Sequence, residues 1–237
     1  MGIQKNNEKI VLVIEDNRRL NDINCRALQS EGFITLSALT LAAAREHLAN
    51  SSPDAIVLDI MMPDGNGVEF CKEIREKTAA PILFLTAVKG YKEAMLAIAA
   101  GGDDYLNKPF DIHMLIAKVQ AFMRRDDISK RIQTHNKEQP QEIINGTLKL
   151  DIIAARAFLE GEDLNLSPKE FSLLYYMVQH ENESLSTEIL YQIIWKQPMQ
   201  ENNQAIKSVI SRLRKKLENS DYTINAHRGE GYRFEKS

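Results

Sequence analysis

Glu15, Asp16, Asp59, Thr86 and Lys108 are spread over almost a hundred positions, yet each closes a short apolar run. The acidic pair follows Ile10–Ile14, Asp59 follows Ala55–Leu58, Thr86 follows Ile82–Leu85, and Lys108 comes just after Tyr105–Leu106. If these runs are parallel strands, all five side chains emerge at one carboxyl edge. Hard cations take carboxylate oxygens, and Mg2+ binds through one or two of them while keeping several waters. Close carboxylates without a cation repel one another and shift their pKa values. A metal relieves that repulsion and neutralises an incoming phosphoryl group. A carboxylate can itself be the covalent phosphoryl acceptor. The Lys108 amine can then pair with the phosphoryl oxygens, and the Thr86 hydroxyl can hydrogen-bond them. Taken singly, Asp16 or Asp59 reads as an ordinary helix N-cap, and Lys108-Pro109 as a loop. It is the conjunction at equivalent strand ends that points to a metal-assisted phosphoryl site.

The elements that must position these residues follow from pattern. The runs at 10–14, 55–58 and 82–85 are continuous rather than alternating, as strands buried on both faces are. Between them lie helical patterns. Leu20, Ile23, Ala27 and Leu28 form one stripe that ends before Gly32, a suitable C′ residue. Phe33–Ala38 fits a second strand, and Asp111 can cap a last helix carrying Leu115, Val119 and Phe122. Five strand–helix units in residues 9–125 predict a doubly wound α/β domain with a five-stranded parallel sheet, its site near the topological switch point. Residues 126–143 are polar, contain Pro140 and lack an apolar period, and read as a semi-flexible linker.

Residues 144–237 have another texture. Leu148–Asp151 and Arg156–Leu159 suggest short strands with turns at Gly146 and Gly161. Ser167, Pro168 and Glu170 form a capping box that starts a helix with a stripe of Phe171, Leu174, Tyr175 and Val178. Leu190, Ile193, Ile194 and Trp195 belong to a second helix, and a third spans roughly 203–217. The end reads as a β-hairpin turning at Gly229-Glu230-Gly231 with Arg228 at its tip. In the third helix Ile206, Ile210, Leu213 and Leu217 fall within about 60° of one another. Gln204, Ser208, Ser211, Arg212 and Lys215 lie opposite. The chain as a whole carries a net charge of −3, but 207–216 holds five basic residues, Lys207, Arg212, Arg214, Lys215 and Lys216, and no acid. A basic run is most often a solvated helix face. Here long donors beside short serines suit a helix entering a major groove, with Arg228 reaching a minor groove.

Two resemblances add to this reading. Val13–Asn17, Leu58–Gly65, Leu85–Ala87 and Gly101–Phe110 resemble the receiver domain of two-component response regulators, a flavodoxin-like fold, over 9–125 without a gap. The resemblance implies that Asp59 accepts phosphate from a sensor histidine kinase. It implies Mg2+ ligation by Asp16, Asp59 and the Met61 carbonyl, with Glu15 helping. Thr86 and Tyr105 would switch rotamer, Lys108 would hold the phosphate, and small Ala87 would leave it accessible. Met61 and Val88 occupy positions that tune dephosphorylation. Leu166–Leu174, Trp195, Val209–Leu217 and Arg228–Phe234 resemble the α+β winged-helix effector of OmpR/PhoB-type regulators. By that resemblance Ser208 and Arg212 face bases, Arg214 and Lys215 face phosphates or the domain interior, and Arg228 is the wing contact. Ser211 and Ala226 depart from the family pattern where a phosphate contact and a wing threonine are common. Ala94, Ala99 and Met114 stand where receivers of this type carry charge for dimerisation, while Asp103, Asp104 and Lys118 remain. The expectation is a weak dimer, or one through an apolar face of Met95, Ile98, Met114 and Leu115.

Composition sets the outer bounds. At 43% hydrophobic and 27% charged, 237 residues suffice for two domains with full cores. No apolar run approaches the roughly 18 residues of a membrane helix, and polar Met1–Lys9 lacks the core of a signal peptide. Asn6 stands where N-myristoylation wants Ser or Thr. Cys25 and Cys71 read as core thiols of a reducing compartment, and the five histidines show no metal spacing. The expected protein is a cytoplasmic, phosphorylation-controlled regulator that binds double-stranded promoter DNA as a homodimer, with RNA polymerase as a further partner. Three rivals stand beside it: a regulator that binds DNA without phosphate, a Mg2+-dependent phosphohydrolase, and a protein-binding output. No separate acid–base pair or substrate pocket is visible in the sequence to serve an enzyme.

Overall fold

The computed structural model describes residues 9–87, 96–135, 142–195 and 204–237. The chain forms two compact units, the first drawn mainly from residues up to 124 and the second mainly from 125 onward.

In the first unit, β1 (Ile10–Ile14), β2 (Ile34–Ala38) and β3 (Ala55–Asp59) precede a two-strand ribbon of β4 (Met61–Met62) and β5 (Gly65–Asn66). β6 (Ile82–Thr86) and β7 (Asp104–Asn107) follow. The five long strands make one parallel sheet in the order β2-β1-β3-β6-β7. β3 and β6 are buried throughout and β1 almost so, as their continuous apolar runs require. Strand order reverses between β1 and β3, so the switch point lies where Glu15 and Asp59 end their strands. Among the described residues the helices are Arg18–Ser30, Leu41–Asn50, Gly67–Arg75 and Ile112–His135, and residues 96–99 are helical as well.

Four expectations for this unit are corrected. The buried stripe of the first helix is Asn21, Asn24, Cys25 and Leu28, whereas Leu20 and Ile23 are exposed. Asn21 sits inside because its amide is fully used: Nδ2 donates to the carbonyls of Glu15 at 3.1 Å and Ala38 at 3.2 Å, and Oδ1 accepts from Ser37 Oγ at 2.6 Å. The last helix, capped by Asp111 through the His113 N–H at 2.8 Å, does not end at 125 but runs to His135. No Gly or Pro stands before Pro140 to stop it, and a helix needs no apolar period to continue. Leu115 is a core residue and cannot form a dimer face, while Met114 is exposed and Val88, Ala94 and Met95 lie outside the described residues. Asp103 is withdrawn as well. It is buried against Arg75 at 3.1 Å and accepts the Ile82 N–H, and Asp104 pairs with Lys118 at 2.6 Å.

The second unit opens with an antiparallel sheet of β8 (Glu142–Asn145), β9 (Leu148–Asp151), β10 (Arg156–Leu159) and β11 (Glu162–Asp163). β8 and β11 escaped sequence reading because β8 is short and half exposed and β11 is two exposed residues. Helices Pro168–Gln179, Thr187–Trp195 and Gln204–Lys216 pack around Leu173, Leu174, Met177, Leu190, Ile206 and Leu213. β12 (Tyr222–His227) and β13 (Gly231–Lys236) close the chain as a hairpin, in register from Tyr222↔Lys236 to His227↔Gly231. The hairpin is pinned by a bridge in which Leu185 and Tyr232 exchange backbone hydrogen bonds of 2.8 and 2.9 Å. Gly231 sits in that bridge at φ +113, where a Cβ would lie 2.0 Å from the Leu185 carbonyl oxygen.

Candidate functional site: an acidic strand edge and a basic helix face

The ordinary explanation for Asp16 and Asp59 fails on geometry. Asn17, not Asp16, caps the first helix, accepting the Arg19 and Leu20 N–H groups at 3.1 Å. Asn66, not Asp59, caps Gly67–Arg75 through the Val68 N–H at 2.7 Å. Both aspartates are therefore left to the edge itself. One carboxylate oxygen from each of Glu15, Asp16 and Asp59 falls within 4.8 Å of the others. Glu15 and Asp59 are buried, and Asp16 is exposed at the mouth.

Lys108 enters this group from the far strand. Its N–H donates to the Thr86 carbonyl at 2.7 Å, and its peptide bond to Pro109 is cis. Its Nζ lies 2.5 Å from Glu15 Oε2 and 2.6 Å from Asp59 Oδ2. The other Asp59 oxygen accepts the Met61 N–H at 3.0 Å, so both oxygens of the candidate acceptor are fixed. Thr86 closes β6 and is buried, and Tyr105 on β7 is half-buried. Burial pushes the Glu15 carboxyl up, and the Asp59 charge adds to that against the pull of Lys108. Burial works against the Lys108 charge as well, but its hydrogen bonds to Asp59 and Glu15 outweigh it and raise the amine. Among the described residues one amine thus serves up to three carboxylates. The surplus is negative, all-oxygen and partly open, a donor set that fits Mg2+.

The loop between β3 and the next helix is braced by residues to which the sequence had given no role. Asp64 accepts the Leu41 and Ala42 N–H groups at 2.9 and 3.0 Å, gripping the start of helix Leu41–Asn50 with both oxygens. Those backbone bonds, with Leu41 first, hold its carboxyl below the ordinary range despite some burial. Gly67 donates to the Ile60 carbonyl at 2.8 Å, and a Cβ there would meet the Asp59 carbonyl oxygen at 2.2 Å. Asp64 was visible in sequence only as part of a motif; its partner helix begins 23 positions earlier.

On the helix Gln204–Lys216, Lys207, Ser211 and Lys215 are exposed and Ser208 is half-buried, while Ile206, Val209, Ile210 and Leu213 face the core. Two of the expected contacts are turned toward their own domain. Arg214 donates through Nε to the Ile224 carbonyl at 2.6 Å and lies over the Tyr232 ring. Arg212 lies at the border of the face rather than on it, its Nε 2.7 Å from Oε1 of buried Glu170. Lys216 binds the other Glu170 oxygen at 2.9 Å. Arg228 is exposed, at the turn between β12 and β13.

Comparison with known proteins agrees with both halves. Residues 11–120 match the response regulator receiver domain, and 161–234 match the C-terminal domain of transcriptional regulatory proteins. The alkaline phosphatase synthesis transcriptional regulatory protein PhoP of Bacillus subtilis is 32% identical over 233 residues, covering 96% of this chain and 97% of that protein. DrrB, described as a Thermotoga maritima OmpR/PhoB homolog, is 27% identical over 96% of this chain and 99% of its own, with a TM-score of 0.46. A mutant of RitR shares the fold at a TM-score of 0.62 and 23% identity, covering 97% of this chain and all of its own. The family is one of transcription regulators rather than enzymes, and its two domains imply a histidine kinase and DNA as partners. With an acidic switch-point edge in one unit and a basic helix and hairpin in the other, the chain belongs to the OmpR/PhoB-type response regulators, the transcriptional regulators of two-component signalling.

Proposed function

We propose that Asp59 is the phosphoryl acceptor of this regulator. The observation that carries the reading is the fixing of both Asp59 oxygens, one by the Met61 N–H and one by Lys108, beside two further carboxylates. Glu15, Asp16, Asp59 and the Met61 carbonyl would hold Mg2+, which when bound neutralises the oxygens of the incoming phosphoryl group. An Asp59 oxygen attacks phosphorus of a phosphohistidine on the sensor kinase. A P–O bond forms, the P–N bond breaks, and its electron pair stays on the imidazole nitrogen, which takes a proton. Lys108 then holds the phosphoryl oxygens, Thr86 hydrogen-bonds them, and Tyr105 follows as the second switch residue.

The receiver spans 9–125 and the winged helix 144–237 in this reading, with 126–143 joining them. Phosphorylation promotes a homodimer, which places two winged helices on promoter half-sites and adds effective concentration. Lys207, Ser208, Ser211 and Lys215 form the exposed or half-exposed groove-facing surface, and Arg228 reaches the minor groove. Arg212 and Arg214 contribute from positions already tied to their own domain. RNA polymerase is the further partner and the cytoplasm the compartment. No helix among the described residues is long and apolar enough to cross a membrane.

Intact mass after incubation with acetyl phosphate and Mg2+ tests the acceptor. Wild type should gain one phosphoryl group and Asp59→Asn none. An equal adduct on both would move the acceptor elsewhere. Its absence from wild type, under conditions that capture fast hydrolysis, would favour the phosphate-independent regulator.

A further inference from the structure

We infer that Glu170 is the positioning residue that aims Arg212 at the bases, an inference that rests on the DNA-binding reading above. Glu170 has no exposed surface and stands at the third position of the helix Pro168–Gln179. Its Oε2 accepts the Ser167 N–H at 3.0 Å, so the capping box fixes its rotamer before any other partner is counted. Oε1 accepts Arg212 Nε–H at 2.7 Å, and Oε2 accepts Lys216 Nζ at 2.9 Å. Lys216 also donates to the Asn165 carbonyl at 2.7 Å, which leaves it a tie within the domain. Burial pushes the Glu170 carboxyl up, but the charges of Lys216 and Arg212 and the bonds from Lys216 and Ser167 hold it below the ordinary range.

These contacts do different things for their two bases. An ammonium on a flexible stem has no direction to lose. A guanidinium is planar, so a bond at Nε sets the plane and the heading of its terminal amino edge. That edge is the one with which an arginine addresses O6 and N7 of guanine. Ser208, one turn earlier, is short enough to let the backbone approach a base. An arginine already oriented loses less side-chain entropy on binding. Glu170 therefore touches no DNA, yet it decides whether Arg212 distinguishes one base pair from another.

The test uses the full-length chain. Duplexes are selected from a random pool by wild type. Affinity for the selected duplex and for a shuffled one is then measured over a range of salt, below each variant's melting transition as read by tryptophan emission. Glu170→Gln should lower the selected-to-shuffled ratio tenfold or more, on the order of one lost bidentate contact. Its salt slope should not change, because no phosphate contact is lost. Arg212→Lys should lose the ratio in the same way. Lys216→Met should melt earlier and keep the ratio. A folded Glu170→Gln with an unchanged ratio would make Glu170 a strut and overturn the inference while leaving DNA binding intact. If Glu170→Gln does not fold, the other two variants decide: a ratio kept in Arg212→Lys, or lost equally in Lys216→Met, overturns it. A wild type that selects no duplex would instead remove the DNA-binding reading itself.

Discussion

Glu15 and Glu170 are both buried carboxylates that meet basic side chains, and their surroundings are unbalanced in opposite directions. At the strand edge a single amine among the described residues, Lys108, faces Glu15 and Asp59 with Asp16 nearby. In the second unit a single carboxylate, Glu170, faces Arg212 and Lys216. Burial raises the Glu15 carboxyl beyond what Lys108 can correct, whereas the two cations hold Glu170 low in spite of deeper burial. The sign of the leftover charge tells what each place invites. The first has carboxylate to spare for a cation, and the second has cationic side chains to spare for an anionic partner. Counting buried ion pairs would rate the two sites alike; counting their stoichiometry separates them.

The sharpest way to break this contrast is to remove the scarce partner in each. Glu170→Ala leaves two cations without their carboxylate and opens the capping box. We expect a loss of about 3–5 kcal/mol in the second unit, read from urea unfolding by Trp195, the chain's one tryptophan. A loss below about 1 kcal/mol would mean that Arg212 and Lys216 find solvent easily and the pair matters little. Lys108→Met should cost about 2 kcal/mol or more in the absence of metal. Mg2+ at a hundred times its dissociation constant should add about 2.7 kcal/mol to wild type and restore much of the variant's deficit. Far-UV circular dichroism during urea titration, with and without Mg2+, checks both expectations. Indifference of wild type to Mg2+ would contradict the reading of the surplus.

Acid should act on the two sites in opposite senses. Folding favours ionised Glu170, so its contribution is complete above the ordinary value of 4.5 and drains as pH falls through the lower folded value. Folding favours protonated Glu15, so its contribution is complete below 4.5 and is lost as pH rises through the raised folded value. Without Mg2+, lowering pH from neutral toward 4.5 should strengthen the first unit while tryptophan-detected unfolding of the second stays level, and only further acid should weaken the second. Parallel curves from the two probes would defeat the comparison. The smallest effect belongs to a pair with no imbalance to relieve. Arg26→Ala removes the exposed contact with Asp22 and should change stability by less than about 0.5 kcal/mol in the same titration.

What sequence could and could not disclose follows the same physics. Strands β1, β3 and β6 were legible because burial on both faces forces continuous apolar runs, and their ends bring Glu15, Asp59 and Thr86 to one edge. The first helix misled because apolarity is not burial: Asn21 is inside, satisfied by backbone carbonyls, and Leu20 and Ile23 are outside. The extension of the last helix to His135 was invisible to a test of periodicity, which detects packing. Glu170 looked like a capping residue and nothing more, since its two cations stand 42 and 46 positions away. Arg212 was placed correctly in the helix, but the angle of a border residue does not reveal which neighbour will claim it.

The loop after Asp59 has almost no slack. Asp59 holds Met61, Ile60 donates to the Leu85 carbonyl and accepts from Gly67, and Asp64 clamps the first turn of helix Leu41–Asn50. In mechanical terms it is the fixed jaw of a vice. A group added to Asp59 meets a chain tied on its own side, and among the described residues the side chains facing it are Thr86 and Lys108. On the reading that Asp59 receives the signal, these ties give it, among the described residues, one direction of travel.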